Sequence, residues 1–117
     1  EKYVLRVPTG VIEDGEDPKD AAARELQEET GFAAKKLEPL GVLASTRGYY
    51  KATALHLFFA TDLQQTGKTS KEPSELDMEV VFIPLEKSFQ MAENAEFEDI
   101  QTIYALLLLK KHLKNKK

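Results

Sequence analysis

The sequence predicts an α/β fold of the α+β type, in which a mixed β-sheet lies between helices. Segments with strand and helix patterns alternate along the chain, but without the regular spacing that βαβ units require. The chain has 117 residues, of which 42% are apolar and 31% charged, the proportions of an ordinary globular protein. This length suffices for one hydrophobic core and not for two, so we expect residues 1–117 to form a single domain.

The first helix has clear signals at both ends. Asp17 stands at a position suited to an N-cap, Pro18 follows at the first helical position, and Asp20 lies in the first turn. Strong helix formers continue to Thr30. Gly31 then occupies the place where a left-handed residue commonly ends a helix. We therefore predict a helix that begins at Pro18 and ends at Thr30.

Four segments have the apolar and β-branched composition of strands. These are Lys2–Val7, Leu40–Ser45, Thr53–Thr61 and Glu79–Ile83. Polar loops are expected at Thr46–Lys51 and at Gln64–Asp77.

Two helices are expected in the last third of the chain. A short one spans Leu85–Glu93, with Phe89 pointing inward, and a longer one spans about Glu98–Leu113. The apolar face of the longer helix is expected to contain Ile100, Ile103, Tyr104, Leu107 and Leu108. Such a face is typical of a helix packed on a sheet.

Composition excludes several classes of function. The net charge of −4 and the pI of about 5.2 do not favour binding to nucleic acid. The sequence contains no cysteine, which excludes disulfides and zinc–thiolate sites. No apolar run reaches the roughly 18 residues of a membrane span. We expect a cytoplasmic protein that binds neither nucleic acid nor membrane.

Three carboxylates stand out within the first helix. Glu25, Glu28 and Glu29 are spaced at i, i+3 and i+4, which places them within an arc of roughly 100° on one helical face. Like charges at these spacings repel by a few tenths of a kcal/mol per pair. A helix that accepts this repulsion, with Arg24 adjacent, indicates an oxygen cluster that holds a hard cation.

The stretch Gly10–Phe32 resembles the Nudix signature G-x5-E-x7-R-E-U-x-E-E-x-G-U, where U is a bulky apolar residue. Its seven fixed residues are Gly10, Glu16, Arg24, Glu25, Glu28, Glu29 and Gly31. At roughly 7% usage each, they would coincide by chance about once in 10^8 placements. The resemblance implies the Nudix fold and hydrolysis of a nucleoside diphosphate linked to another group.

The resemblance also implies a role for each matched residue. Glu25 and Glu29 would be the principal ligands of Mg²⁺, or of Mn²⁺, with Glu28 as a further or water-mediated ligand. The backbone carbonyl of Thr9 would complete the set, and Arg24 would orient the glutamates. Glu16 would brace the loop, while Gly10 and Gly31 would serve the backbone geometry.

Segments outside the signature bear on the substrate. Leu5–Glu13 and Glu79–Glu86 resemble the ADP-ribose and nucleotide-sugar pyrophosphatase subgroup, in which a glutamate on the loop before the later strand acts as general base. Glu75 is the first candidate here, followed by Asp77 and Glu72.

The region of Arg47, Tyr49 and Tyr50 departs from the ADP-ribose hydrolases, which usually carry a proline where this chain has Arg47. A tyrosine in this region is a feature of dinucleoside polyphosphate hydrolases, which makes dinucleoside polyphosphates the alternative substrate. Nucleoside triphosphates, modified or not, are a further alternative. Arg47 would hold a phosphate, and either tyrosine would stack on a base or cap the edge of the sheet.

A different class of function is also possible for this fold, namely a catalytically silent Nudix module that binds a nucleotide or a partner.

The Nudix fold normally has at least one more strand before Lys2–Val7, so we expect the domain to be N-terminally incomplete. An unpaired sheet edge favours pairing with a second copy, which predicts a homodimer.

Overall fold

The computed structural model describes residues 7–8, 10–47, 51–67 and 80–116, of which 44–47 and 51–53 are described by their backbone. Its elements are α1 (Pro18–Thr30), β1 (Phe32–Arg47), β2 (Lys51–Gln65), α2 (Leu85–Glu93) and α3 (Ile100–Asn115). Three helices and an antiparallel pair of strands confirm the predicted α+β class. The predicted strand Lys2–Val7 lies outside the described residues except for Val7.

Helix α1 has the predicted bounds. Asp17 is extended (φ −69°, ψ 137°) and precedes Pro18, and its side chain forms no capping hydrogen bond. The helix is instead begun by the fixed φ of Pro18 and supported by the acidic Asp20 in the first turn. At the other end Gly31 adopts φ 76° and donates its N–H to the carbonyl of Gln27 at 2.9 Å. A side chain would be strained there, which explains the glycine.

The hairpin of β1 and β2 is longer than the sequence pattern predicted. The first strand was expected only at Leu40–Ser45 and the second at Thr53–Thr61, yet pairing extends from Phe32 opposite Gln65 to Arg47 opposite Lys51. A register shift between Pro39 and Gly41 places one extra residue, Leu40, on β1. This irregularity interrupts the alternation of apolar residues, so the pattern indicated a strand only beyond Leu40.

The prediction of a strand at Glu79–Ile83 is wrong for its described residues. Val80, Val81 and Phe82 are irregular in conformation and 42%, 56% and 74% exposed. Within the part of the chain that the structure describes, the sheet has two strands, and neither pairs with this segment. β-branched composition alone does not make a strand when no neighbour supplies the hydrogen bonds. The ring of Phe82 instead meets that of Phe32 edge to face, with centroids 5.9 Å apart.

The hydrophobic core lies where α2 and α3 pack together against the hairpin. Its buried members are Phe89, Ala92, Phe97, Leu106 and Leu109, and Leu40, Phe59, Met91, Ile103 and Leu113 pack around them. Helix α2 has the predicted bounds, and Phe89 is 4% exposed, which confirms that this side chain points inward.

The apolar face expected for α3 is wrong in part. The buried residues are Thr102, Ala105, Leu106 and Leu109, whereas Ile100 is 76% exposed and Leu107 is 42% exposed. The run from Ala105 to Leu109 is apolar around most of the helix, so periodicity could not select one face. Packing against Phe89 and Phe97 decides it. None of the described helices is long and apolar enough to span a bilayer.

Candidate functional site

Arg24 is the centre of the candidate site. Its Nε and Nη2 donate to the two carboxylate oxygens of Glu16 at 3.0 and 3.1 Å. Its Nη1 donates to Oε1 of Glu25 at 3.0 Å and to Oε1 of Glu28 at 3.3 Å. Nη2 also donates to the carbonyl of Val11 at 3.0 Å. One guanidinium thus joins the loop before α1 to two of the three predicted glutamates.

The geometry of this cluster is strong because a planar guanidinium can bind a carboxylate with two parallel hydrogen bonds. The side chains of Arg24 and Glu16 are 27% and 18% exposed, so solvent screens the pair only in part. The hydrogen bond from Arg24 lowers the pKa of Glu16 below its ordinary value, and the backbone N–H of Glu13 adds to that effect. The pKa of Arg24 is raised in turn, mainly by its hydrogen bond to Glu16.

The acidic turn between Val11 and α1 is shaped by Glu16. The N–H of Glu13 donates to Oε1 of Glu16 at 3.0 Å, and the N–H of Glu16 donates to the carbonyl of Glu13 at 2.9 Å. Gly15 occupies the left-handed region within this turn, with φ 78°. These contacts agree with the bracing role that the sequence implied for Glu16.

Gly10 lies close to the side chain of Glu25. A Cβ at position 10 would lie 1.9 Å from Cδ and 2.3 Å from Oε1 of Glu25, so either the loop or the carboxylate would have to shift. Glycine at this position therefore lets the loop lie directly against the carboxylate of Glu25. The resemblance implied a backbone role for Gly10, and the neighbour at this position is the side chain of Glu25.

The end of α1 is fastened to the hairpin through Gly31. Its carbonyl accepts both the N–H of Thr66 at 2.8 Å and the hydroxyl of Thr66 at 2.9 Å. Thr30 contributes a second local contact, since its hydroxyl donates to the carbonyl of Leu26 at 2.6 Å and accepts the N–H of Phe32 at 3.2 Å. The glutamate helix is thereby held in position relative to the sheet.

The glutamates offer hard oxygen donors, which are the ligands that Mg²⁺ and Mn²⁺ take in proteins. The donor atoms of Glu25, Glu28 and Glu29 are therefore suited to a divalent cation. Among the residues with described positions, no three carboxylate or imidazole side chains converge as a preformed ion-binding cluster. Glu25 and Glu28 direct one oxygen each to Arg24, while Glu29 follows one residue later on α1.

Several predicted site residues lie outside the described residues, namely Thr9, Tyr49, Tyr50, Glu72, Glu75 and Asp77. Arg47 is described by its backbone, as the last residue of β1. The predicted roles of these residues in metal binding, base catalysis and substrate binding stay predictions.

Sequence reasoning missed two contributors to the site. The carbonyl of Val11 accepts a hydrogen bond from Arg24, and Thr66 binds the carbonyl of Gly31. A backbone carbonyl leaves no signal in the residue pattern. Thr66 lies 35 residues from Gly31 in sequence, and only the register of the hairpin brings the two together.

Comparison with known proteins identifies the family. Residues 2–106 match the model of the NUDIX domain. An ADP-ribose pyrophosphatase from Bacillus subtilis (strain 168) is 35% identical in an alignment of 113 positions that covers 93% of this chain and 58% of that protein. A methanol dehydrogenase activator from Bacillus methanolicus is 30% identical in an alignment of 118 positions that covers 99% of this chain and 63% of that protein. The chain therefore belongs to the Nudix family.

A solved structure supports the same assignment at the level of the fold. The crystal structure of an ADP compounds hydrolase matches with a TM-score of 0.84 and 31% identity, over 99% of this chain and 61% of that one. The chain thus spans about 60% of the length of each of these three relatives. Nudix hydrolases require a divalent metal ion, which agrees with the donor chemistry of the glutamate face.

Proposed function

We propose that this protein is a Mg²⁺-dependent pyrophosphohydrolase that cleaves the diphosphate of ADP-ribose or of a nucleotide sugar. The observation that carries the proposal is the Arg24 cluster, which gathers Glu16, Glu25 and Glu28 beside the Gly10 loop. The substrate class is supported by relatives that are an ADP-ribose pyrophosphatase and an ADP compounds hydrolase.

The metal would be held by Glu25 and Glu29, with Glu28 as a further or water-mediated ligand and the carbonyl of Thr9 completing the set. When bound, the cation neutralises the diphosphate and lowers the pKa of bound water. Arg24 orients Glu25 and Glu28 by direct hydrogen bonds, and Glu16 holds Arg24 in place. Mg²⁺ is the proposed ion, and Mn²⁺ is the alternative because an all-oxygen ligand set suits both cations.

The remaining roles are assigned to Arg47 and to residues outside the described ranges. Glu75 would accept the proton of the attacking water, with Asp77 and Glu72 as alternatives. Arg47 would bind a phosphate, and Tyr49 or Tyr50 would stack on the base. We further propose that residues 1–117 act as one domain in the cytoplasm and associate as a homodimer.

The decisive experiment is a hydrolysis screen of the purified protein with Mg²⁺ or Mn²⁺. Its substrates are ADP-ribose, nucleotide sugars, dinucleoside polyphosphates and modified nucleoside triphosphates, and product masses identify the bond that is cleaved. We expect AMP and a sugar phosphate from ADP-ribose or an ADP-sugar. Exclusive cleavage of dinucleoside polyphosphates or triphosphates would replace the proposed substrate with the alternative class.

The Bacillus methanolicus relative supports a second candidate, because the name of that protein describes activation of another enzyme. In that case this chain would bind a nucleotide or a partner without turnover. Calorimetric titration with ADP-ribose and Mg²⁺, followed by product analysis, distinguishes the hydrolase from the non-catalytic binding module. Binding of ADP-ribose without formation of product would establish the binding module and exclude the hydrolase.

A further inference from the structure

The hydroxyl of Thr102 connects α3 to the segment that leads into the glutamate site. Thr102 is 1% exposed, which makes it the most deeply buried side chain among the described residues. Its Oγ1 accepts the N–H of Val7 at 3.1 Å and donates to Oδ2 of Asp99 at 2.7 Å. Both the donor and the acceptor capacity of this buried hydroxyl are therefore used.

The contact with Val7 is not needed to begin α3. Asp99, the N-cap, already accepts the N–H groups of Gln101 at 3.3 Å and of Thr102 at 3.2 Å. A valine at position 102 would fill nearly the same volume and would leave those two hydrogen bonds in place. Unlike valine, threonine at position 102 also provides an acceptor for the backbone N–H of Val7, which is 95 residues away in sequence.

Val7 is close in sequence to the part of the loop that contacts the site. Three residues of chain span at most about 10 Å, so an anchor at Val7 restricts where Gly10 can lie. Gly10 in turn lies against the carboxylate of Glu25. The hydrogen bond from Val7 to Thr102 therefore restricts the distance of Gly10 from α3.

We propose that Thr102 is a positioning residue for the glutamate site, which through its hydrogen bond to Val7 holds Gly10 close to the carboxylate of Glu25. As far as metal binding and turnover are concerned, this inference rests on the proposed function. Asp99 supports this role of Thr102. Its Oδ2 accepts the hydroxyl proton of Thr102, and this orients a lone pair of Oγ1 toward the N–H of Val7.

The test compares Thr102→Val, Thr102→Ser and Ser88→Ala. Ser88→Ala is the matched control, since Ser88 is also buried but its hydroxyl donates to Leu85 within α2. In the metal-free protein we expect Thr102→Val to shift the Gly10 amide resonance and to speed hydrogen exchange at Val7. Ser88→Ala should change neither, and Thr102→Ser should restore both.

The second readout is the affinity for Mn²⁺, measured by electron paramagnetic resonance at a temperature where every variant is folded. We expect Thr102→Val to raise the Kd by about 10-fold, the lower end of what loss of an outer-shell contact costs a metal site. Thr102→Ser should stay within about twofold of the wild type, and so should Ser88→Ala.

An unchanged Gly10 resonance in Thr102→Val would overturn the inference. So would changes of the Gly10 resonance and of Val7 exchange in Ser88→Ala that equal those in Thr102→Val, because they would indicate a general loosening of the core. If Thr102→Val does not fold, Thr102→Ala takes its place and is compared with Thr102→Ser, because these two variants differ only in the hydroxyl. A wild-type protein that neither binds Mn²⁺ nor hydrolyses a diphosphate would refute the proposed function alone, because the Gly10 and Val7 amides are measured without metal.

Discussion

At the scale of single residues, Arg24 removes an electrostatic conflict that the helix would otherwise carry. Glu25, Glu28 and Glu29 repel one another by a few tenths of a kcal/mol per pair. The guanidinium donates to two of them and binds Glu16 through two hydrogen bonds. A lysine could not replace it, because a single ammonium lacks the planar set of donors.

Substitution of Glu29 by glutamine tests the metal site directly. Glu29→Gln keeps the shape of the side chain and removes the charge of one proposed ligand, so we expect a native fold and a loss of Mg²⁺-dependent turnover of at least about 100-fold. The measurement is steady-state hydrolysis of ADP-ribose, together with the circular dichroism spectrum. Glu86→Gln, an exposed glutamate on α2, is the control. Unchanged turnover in Glu29→Gln would exclude the proposed ligand set.

Substitution of Gly10 by alanine tests the approach of the loop to Glu25. Because the added Cβ would fall 1.9 Å from Cδ of Glu25, either the loop or the carboxylate must move. We expect turnover to fall by about 10-fold or more, in line with the cost of small misplacements at reacting centres. Gly41→Ala is the matched control, since its Cβ would lie 3.4 Å from Cδ1 of Leu108, a contact that a flexible side chain accommodates. Equal activity in the two variants would contradict the structural account of Gly10.

At the scale of elements, the packing of α3 distinguishes two adjacent leucines. Leu106 is 9% exposed and belongs to the core, whereas Leu107 is 42% exposed. We expect Leu106→Ala to lower the free energy of unfolding by about 2–4 kcal/mol, because it leaves a cavity. Leu107→Ala should cost less than about 1 kcal/mol. Urea denaturation of both variants measures these free energies. A larger loss of stability in Leu107→Ala than in Leu106→Ala would show that the buried face of α3 is the one that the sequence pattern predicted.

The junction between β1 and α3 is predicted to be sensitive to acid. Glu38 accepts hydrogen bonds from Lys116 at 2.8 Å and from His112 at 3.1 Å, which tie the hairpin to the end of α3. The hydrogen bond from Lys116 is the main reason that the pKa of Glu38 lies below its ordinary value of 4.5. A lowered pKa in the folded state means that this contribution to stability is present above pH 4.5 and is lost as the pH falls through the folded value.

We therefore expect Glu38→Gln to lower the Tm at pH 7 and to reduce the loss of Tm between about pH 5 and pH 3. Lys116→Gln should behave similarly, because it removes the main cause of the shift. Differential scanning calorimetry across this range is the measurement. Parallel Tm curves for wild type and Glu38→Gln would show that the junction does not contribute to acid sensitivity.

At the scale of the whole molecule, the sheet and the exposed apolar residues favour association. The described sheet is a hairpin of two strands, and isolated hairpins are marginally stable in water. Phe82 and Ile100 are 74% and 76% exposed, which leaves apolar surface available. We expect a homodimer by light scattering between about 1 and 100 μM protein, the range in which a micromolar Kd is visible. A constant monomer mass across that range would exclude it.

Local elements were predictable because their causes lie within a few residues. Pro18 and Gly31 begin and end α1 by their own backbone preferences, and Leu85–Glu93 follows from its own periodicity with Phe89 inward. Strand limits were less predictable. The extra residue Leu40 interrupts the alternation in β1, and a segment such as 80–83 needs a partner strand that composition does not reveal.

By itself, the sequence determined the spacing of Glu25, Glu28 and Glu29 on one helical face, because the helical repeat depends only on local backbone geometry. Only the tertiary structure decided that Gly10 lies against Glu25, that Arg24 reaches Glu16 and Val11, and that Thr102 holds Val7. These contacts join residues 8 to 95 positions apart in the chain. Their distances depend on how the helices, the loop and the hairpin pack together, and the order of residues alone does not contain that packing.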